Sequence, residues 1–102
     1  MGTYRILIVD DDESVLELMK KSLSARGHII ETASDGADAM VLLEKSNFDL
    51  MITDMTMPQV DGITLCRKFH QILPIILISG HVDSFAARKV EKYCHCLLVK
   101  SD

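Results

Sequence analysis

The feature that most constrains this fold is a regular alternation of short apolar runs with stretches in which apolar residues recur at helical spacing. Five runs have the length of strands, and they cover residues 5–9, 28–33, 50–53, 75–79 and 96–99. Four predicted helices lie between them. In the first, apolar residues recur at helical spacing and Gly27 follows as the C′ residue; these apolar residues are Val15, Leu16, Met19 and Leu23. The other three helices are predicted at about 37–45, 63–71 and about 84–93. This alternation predicts right-handed crossovers and a parallel sheet with helices on both faces.

Length and charge narrow the class of protein. The chain has 102 residues, of which 48% are hydrophobic, and this is enough for one small domain with a core of its own. A net charge of −4 offers no basic surface to nucleic acid or to an anionic membrane. We find no bilayer-spanning apolar stretch and no signal-peptide pattern. Three cysteines without a signal peptide favour a reducing cytoplasm.

Two of the predicted strands end in acidic residues. The run at 6–9 is followed by Asp10, Asp11 and Asp12, and the run at 50–53 is followed by Asp54. Because ligands of open α/β sheets bind beyond the carboxyl ends of the strands, we expect these carboxylates to meet in one acidic pocket. Crowded carboxylates repel one another, and a divalent cation relieves the repulsion. Ligands that are all oxygen favour Mg²⁺ over zinc.

Acids next to a helix start also have a purely structural interpretation. The unpaired N–H groups and the dipole of a helix favour acids there, and capping accounts for Asp12 without any chemistry. Asp10 and Asp11 fit a cation site better, because Asp54 matches them from another strand end. For the second helix, Asp35 or Ser34 is the predicted N-cap.

The other strand ends add a hydroxyl and an ammonium group. Strand four ends in Ser79 and strand five is followed by Lys100. A cation site, a further carboxylate, a hydroxyl and an ammonium group together suit phosphoryl transfer to a carboxylate, since cations neutralise phosphoryl oxygens and a hydroxyl can hydrogen-bond the product.

These segments closely resemble the receiver domains of two-component response regulators. The resemblance covers essentially the whole chain and rests on the segments Ile8-Val9-Asp10-Asp11-Asp12-Glu13, Asp54-Met55-Thr56-Met57-Pro58-Gln59-Val60-Asp61-Gly62, Ile75-Ile76-Leu77-Ile78-Ser79-Gly80 and Leu97-Leu98-Val99-Lys100. It implies a doubly wound, flavodoxin-like sheet of five parallel strands in the order 2-1-3-4-5.

The resemblance also implies a function. Asp54 would accept a phosphoryl group from a sensor histidine kinase or phosphotransfer protein, and the chain would be a signalling domain rather than an enzyme. The site residues that it assigns are Asp10, Asp11, Asp54 and the backbone carbonyl of Thr56 as Mg²⁺ ligands, Ser79 as the residue that follows the phosphate, and Lys100 as its ionic partner. The output domain or effector would lie outside this chain.

The sequence departs from the family pattern in three places. Ser101 stands where the family usually has a proline, often after a cis bond; a non-proline cis bond costs about 3 kcal/mol, so we expect a trans bond or a disordered end. Leu97 stands where an aromatic switch residue is common. We also expect no fifth helix within these residues, because only Lys100, Ser101 and Asp102 follow Val99. We therefore expect a receiver domain over 1–102 that lacks its last helix and exposes apolar residues near Val9, Leu98 and the first helix. Such a domain should have low stability, form homodimers by helix exchange or surface pairing, or be poorly ordered at its C-terminal end.

Three other functions compete with this interpretation. A haloacid-dehalogenase-type phosphatase requires a second aspartate as acid/base two residues after the nucleophile, where this chain has Thr56. A flavin or nucleotide carrier has a glycine- or hydroxyl-rich phosphate-binding loop after strand one. This chain has three acids there, which would repel phosphate in the absence of a metal. A degenerate receiver that acts as a dimerisation or docking module without phosphorylation remains as the alternative, because a fold alone does not settle function.

Two groups of cysteine and histidine residues have side chains that can bind zinc. Cys94, His95 and Cys96 lie close together, and Cys66 and His70 have helical i, i+4 spacing. The spacing of Cys94 and Cys96 is shorter than that of a zinc loop, and the two groups fall on different elements. Buried structural thiols are the default interpretation.

Overall fold

Five parallel strands form a single sheet in the residues that the structure describes. In this computed structural model these residues are 2–54, 62–79 and 96–99. The elements in chain order are β1 (Arg5–Val9), α1 (Glu13–Ser24), β2 (Ile29–Ala33), α2 (Gly36–Lys45), β3 (Leu50–Asp54), α3 (Gly62–Phe69), β4 (Ile75–Ser79) and β5 (Cys96–Val99). The strand order is β2-β1-β3-β4-β5 and every neighbouring pair is parallel, which confirms the expected flavodoxin-like order. The helix predicted at about 84–93 lies outside the described residues.

The strand β1 contributes side chains to two apolar layers, because its side chains alternate between the faces of the sheet. Leu7 and Val9 belong to a core cluster that contains α3 residues such as Leu65 and also packs against α2. Ile6 and Ile8 belong to a second cluster that contains Leu16 of α1. These four β1 side chains are at most 4% exposed, so β1 is buried on both faces, as the sequence pattern predicts for a parallel sheet.

The first helix has the N-cap and the C-terminal glycine motif that the sequence indicated. Oδ1 of Asp12 accepts a hydrogen bond of 2.9 Å from the main-chain N–H of Ser14, so Asp12 is the N-cap. At the other end, the N–H groups of Gly27 and His28 donate to the carbonyls of Ser24 and Leu23. This is the pattern of a Schellman motif, and it places Gly27 in the left-handed region with a φ of 94°.

The second helix resolves the choice between two capping candidates. Asp35 is the N-cap of α2, and its Oδ1 accepts a hydrogen bond of 2.8 Å from the N–H of Asp38. The hydroxyl of Ser34 instead donates a hydrogen bond of 3.4 Å to Oδ2 of Asp38. The carboxylate satisfies an N–H group that the helix itself leaves without a partner.

The expected exposure near Val9 is wrong. Val9 is 1% exposed, because it points into the layer covered by α2 and α3. On the first helix the expectation holds for Leu18, which is 70% exposed, and not for Leu16, which is 4% exposed and packs on the sheet. The side chain of Leu98 lies outside the described part of the structure. Among the described residues, no helix is long and apolar enough to cross a membrane.

Candidate metal site at the strand ends

The pairing of β1 with β3 brings two of the predicted acids together. Val9 is the register partner of Thr53 in this parallel pair. The next residues along each strand are Asp10 and Asp54, so both emerge at the same edge of the sheet. Together with Asp11 they form a group in which one carboxylate oxygen from each residue lies within 4.8 Å of the other two. The structure thus brings Asp54 next to two acids that lie more than forty positions earlier in the chain.

Asp10 is the buried member of this group. It is 3% exposed, and its N–H continues the ladder with β2 by donating to the carbonyl of Ala33 across 3.1 Å. Oδ1 of Asp10 accepts a hydrogen bond of 2.9 Å from the main-chain N–H of Asp12. The carboxylate is therefore held in place from two directions: by the sheet through its backbone and by the start of α1 through its side chain.

The other two acids open the group to solvent. Asp54 is half-buried and Asp11 is exposed. Exposed acidic residues often cluster without a ligand, and the informative member here is Asp10, since a carboxylate is seldom fully buried unless something pairs with it. Three carboxylates at this separation repel one another, and a hard divalent cation that takes oxygen ligands would relieve the repulsion. The donor set fits Mg²⁺, which is commonly held by one or two carboxylates plus water and phosphate oxygens.

The remaining predicted site residues lie wholly or partly outside the described structure. Thr56 and Lys100 are not among the described residues. The backbone of Ser79 is described and ends β4 one residue beyond Ile78, the register partner of Asp54. Ser79 in turn pairs with Val99, the residue before Lys100. The strand register therefore brings Asp54, Ser79 and Val99 to the same edge of the sheet.

One residue at this edge was missed by sequence reasoning. Thr53 precedes Asp54, is fully buried, and donates a hydrogen bond of 3.1 Å from Oγ1 to the carbonyl oxygen of Asp54. In the sequence it looked like an ordinary strand residue. The available signal was a single hydroxyl in an otherwise apolar run, immediately before the acid.

The zinc alternative gains no support from the described residues. Cys66 is a buried residue of α3 that belongs to the core cluster. His70 is half-buried just after α3, and its N–H donates to the carbonyl of Cys66. Cys94 and His95 lie outside the described residues, as does the side chain of Cys96. Within the described part, the group of acids with metal-site spacing is the one formed by Asp10, Asp11 and Asp54.

Comparisons with known proteins agree with this geometry. The family model for the response regulator receiver domain matches residues 6–99. The response regulator MprA of Mycobacterium sp. (strain KMS) is 38% identical over 87 residues, which cover 82% of this chain and 37% of that protein. The chain therefore spans a little more than a third of the length of this relative.

Two solved structures are similar over most of their length. The signal receiver domain of an HD domain-containing protein from Pseudomonas fluorescens Pf-5 has a TM-score of 0.89 and 30% identity, covering 97% of this chain and 83% of the other. The response regulator TrrA of Thermotoga maritima, solved in complex with Mg²⁺ and BeF, has a TM-score of 0.86 and 29% identity, covering 97% and 88%. With its sheet order, its acidic strand ends and these matches, the chain belongs to the response regulator receiver domain family of two-component signal transduction.

Proposed function

We propose that this receiver domain is switched by phosphorylation of Asp54, with Mg²⁺ bound by Asp10, Asp11 and Asp54. The single observation that carries the proposal is the convergence of these three carboxylates to within 4.8 Å at the ends of β1 and β3. The similar structure of TrrA was solved with Mg²⁺ and BeF, which supports the same ligand chemistry for this chain. Bound Mg²⁺ would neutralise charge on the phosphoryl oxygens.

Asp54 is the acid best placed to act as the nucleophile. It is half-buried, between the buried Asp10 and the exposed Asp11, so it can be reached by a donor and still be shielded from bulk water. In the transfer, a carboxylate oxygen of Asp54 attacks the phosphorus of a phosphohistidine. The P–N bond breaks, its electron pair goes to the imidazole, and a P–O bond forms an aspartyl phosphate.

Asp10 and Asp11 have a different role in this proposal. The carboxylate of Asp10 is held by the N–H of Asp12 and is poorly placed to reach an incoming donor. Its burial favours a fixed cation ligand. The backbone carbonyl of Thr56 would be a further ligand, Ser79 would hydrogen-bond the phosphoryl group, and Lys100 would pair with it; the strand register at Ile78 and Val99 supports the last two assignments.

The partners follow from the reaction. A sensor histidine kinase or a phosphotransfer protein would supply the phosphoryl group, and an output domain or a separate effector would read the phosphorylated state. We place the reaction in the cytoplasm, because an odd count of three cysteines favours a reducing compartment. Self-association of two copies would be measured by sedimentation velocity with and without phosphorylation.

The test is phosphorylation by a small donor. Acetyl phosphate with Mg²⁺ should add one phosphoryl group, and the product should be labile to base and to hydroxylamine. Asp54→Asn should abolish the labelling while the protein stays folded, since the side chains are nearly isosteric. Asp49→Asn changes an exposed acid just before β3, at the opposite end of that strand, and should leave the labelling intact.

The same experiment separates the two candidate functions. Wild-type protein that takes no label, although Mg²⁺ raises its thermal midpoint, would favour a degenerate receiver that acts by docking. Undiminished labelling of Asp54→Asn would place the acceptor on another residue.

A further inference from the structure

Thr53 is a fully buried polar residue in an otherwise apolar strand. Its exposed fraction is 0%, and Met51 and Ile52 precede it. Because alternate strand residues share a face, Thr53 lies on the face of Met51, which belongs to the core cluster on the side of α2 and α3. A valine would fill this place with nearly the same shape and would leave no hydroxyl to satisfy. Core packing therefore does not explain the hydroxyl.

The hydroxyl finds its partner at the candidate site. Oγ1 of Thr53 donates to the main-chain carbonyl oxygen of Asp54 across 3.1 Å. That carbonyl belongs to the peptide group by which the chain leaves β3, so the bond restricts rotation about ψ of Asp54. The Cα of Asp54 carries both this peptide group and the carboxylate. The bond therefore couples the direction in which the chain leaves the strand to the position of the carboxylate.

We propose that Thr53 is a positioning residue: its hydroxyl holds the carbonyl of Asp54, and thereby the Asp54 carboxylate, in the arrangement that binds Mg²⁺ and accepts phosphate. This inference deepens the proposed function and rests on it. A site whose backbone is ordered before the ligand arrives loses less conformational freedom on binding, and supporting hydrogen bonds are the usual means of such ordering.

The experiment makes two comparisons, and each removes the hydroxyl: a methyl group replaces it in one, and a hydrogen atom replaces it in the other. The wild type is compared with Thr53→Val, and Thr53→Ser is compared with Thr53→Ala. Thr32→Val serves as the matched control, because Thr32 is a half-buried threonine of β2 outside the acid group. For each protein three quantities are measured: the thermal midpoint in Mg²⁺-free buffer, the Mg²⁺ concentration that gives half of the maximal midpoint shift, and the rate of phosphorylation at saturating acetyl phosphate.

We expect Mg²⁺ affinity and phosphorylation rate to depend on the hydroxyl of residue 53, and the thermal midpoint to depend on its methyl group. Thr53→Val should weaken Mg²⁺ binding and slow phosphorylation by about fivefold each, the range expected for one ordinary hydrogen bond. Its thermal midpoint should stay at or above that of the wild type. Thr53→Ser, which loses a buried methyl group, should melt lower and yet keep Mg²⁺ affinity and rate within about twofold of the wild type. Thr32→Val should change neither functional quantity.

Several results would overturn this role. Thr53→Val that binds Mg²⁺ and labels like the wild type would remove it, as would Thr53→Ser that loses as much function as Thr53→Ala. If Thr53→Val does not fold, the Ser and Ala pair decides the question. Wild-type protein that binds Mg²⁺ but takes no label would reject the proposed function instead, and the Mg²⁺ measurements would then decide the role of Thr53 alone. Wild-type protein that does neither would reject both.

Discussion

The main-chain N–H of Asp12 donates to Oδ1 of Asp10 across 2.9 Å, and this bond joins the start of α1 to the buried acid of the candidate metal site. Asp12 is itself the N-cap of α1 through its bond from Ser14. Three adjacent aspartates thus have three different environments: Asp10 is buried at the site, Asp11 is exposed beside it, and Asp12 is committed to the helix. Substitutions at these three positions should therefore have three different effects.

The first prediction concerns cation binding. Mg²⁺ should raise the thermal midpoint of the wild type in a concentration-dependent way, since a ligand that binds only the folded state stabilises it by mass action. Asp11→Asn should remove most of this rise, because it takes away one of three carboxylates that lie within 4.8 Å. The control is Glu44→Gln, which neutralises an exposed acid in the last turns of α2. An equal rise in wild type and Asp11→Asn would contradict the site.

The second prediction concerns repulsion in the absence of metal. Asp10→Asn should raise the thermal midpoint in Mg²⁺-free buffer, because it removes one charge from the group while its carbonyl oxygen can still accept from Asp12. Each pair of charges at this distance repels by about 1 kcal/mol even when water screens it fully. Asp10→Ala removes the charge and the acceptor together, so it should be less stable than Asp10→Asn. Differential scanning calorimetry with a chelator present measures both. A midpoint for Asp10→Asn below that of the wild type would show that repulsion does not dominate.

The third prediction separates helix capping from metal binding. Asp12→Ala should lower the free energy of unfolding by about 1 kcal/mol, the usual cost of losing a good N-cap. Asp12→Asn should be close to the wild type, since asparagine caps equally well. The Mg²⁺-induced rise in thermal midpoint should be the same in both variants. Urea denaturation gives the stabilities, and loss of the Mg²⁺ response in Asp12→Asn would instead assign Asp12 to the site.

The fourth prediction tests the end of α1. Gly27 has a φ of 94°, which an L residue with a side chain adopts only at a cost. Gly27→Ala should therefore destabilise the protein by about 1 kcal/mol or more. The structure leaves open space around the position of the new Cβ, so the loss would come from the backbone and not from a clash. Gly2→Ala, also without a contact within 4 Å, is the control and should melt like the wild type. Equal midpoints for the two variants would argue against the Schellman motif in solution.

Much of the fold followed from local patterns. The five strands, the three described helices, the N-cap at Asp12 and the glycine after α1 were all indicated by periodicity and by capping chemistry, which depend on neighbours within a few positions. Three helix ends differ slightly from the prediction: α2 begins at Gly36, and α3 begins at Gly62 and ends at Phe69. Helix ends are the least determined part of such patterns, because the last turn contributes few hydrogen bonds.

The sequence by itself determined which residues were available for chemistry: acids after two apolar runs at Asp10, Asp11 and Asp54. Only the tertiary structure decided how they are used. The register of β1 against β3 set their mutual distance, the start of α1 separated Asp10 from Asp12, and the burial of Thr53 directed its hydroxyl to the carbonyl of Asp54. Strand register and burial depend on contacts between residues far apart in the chain, and no local pattern contains them.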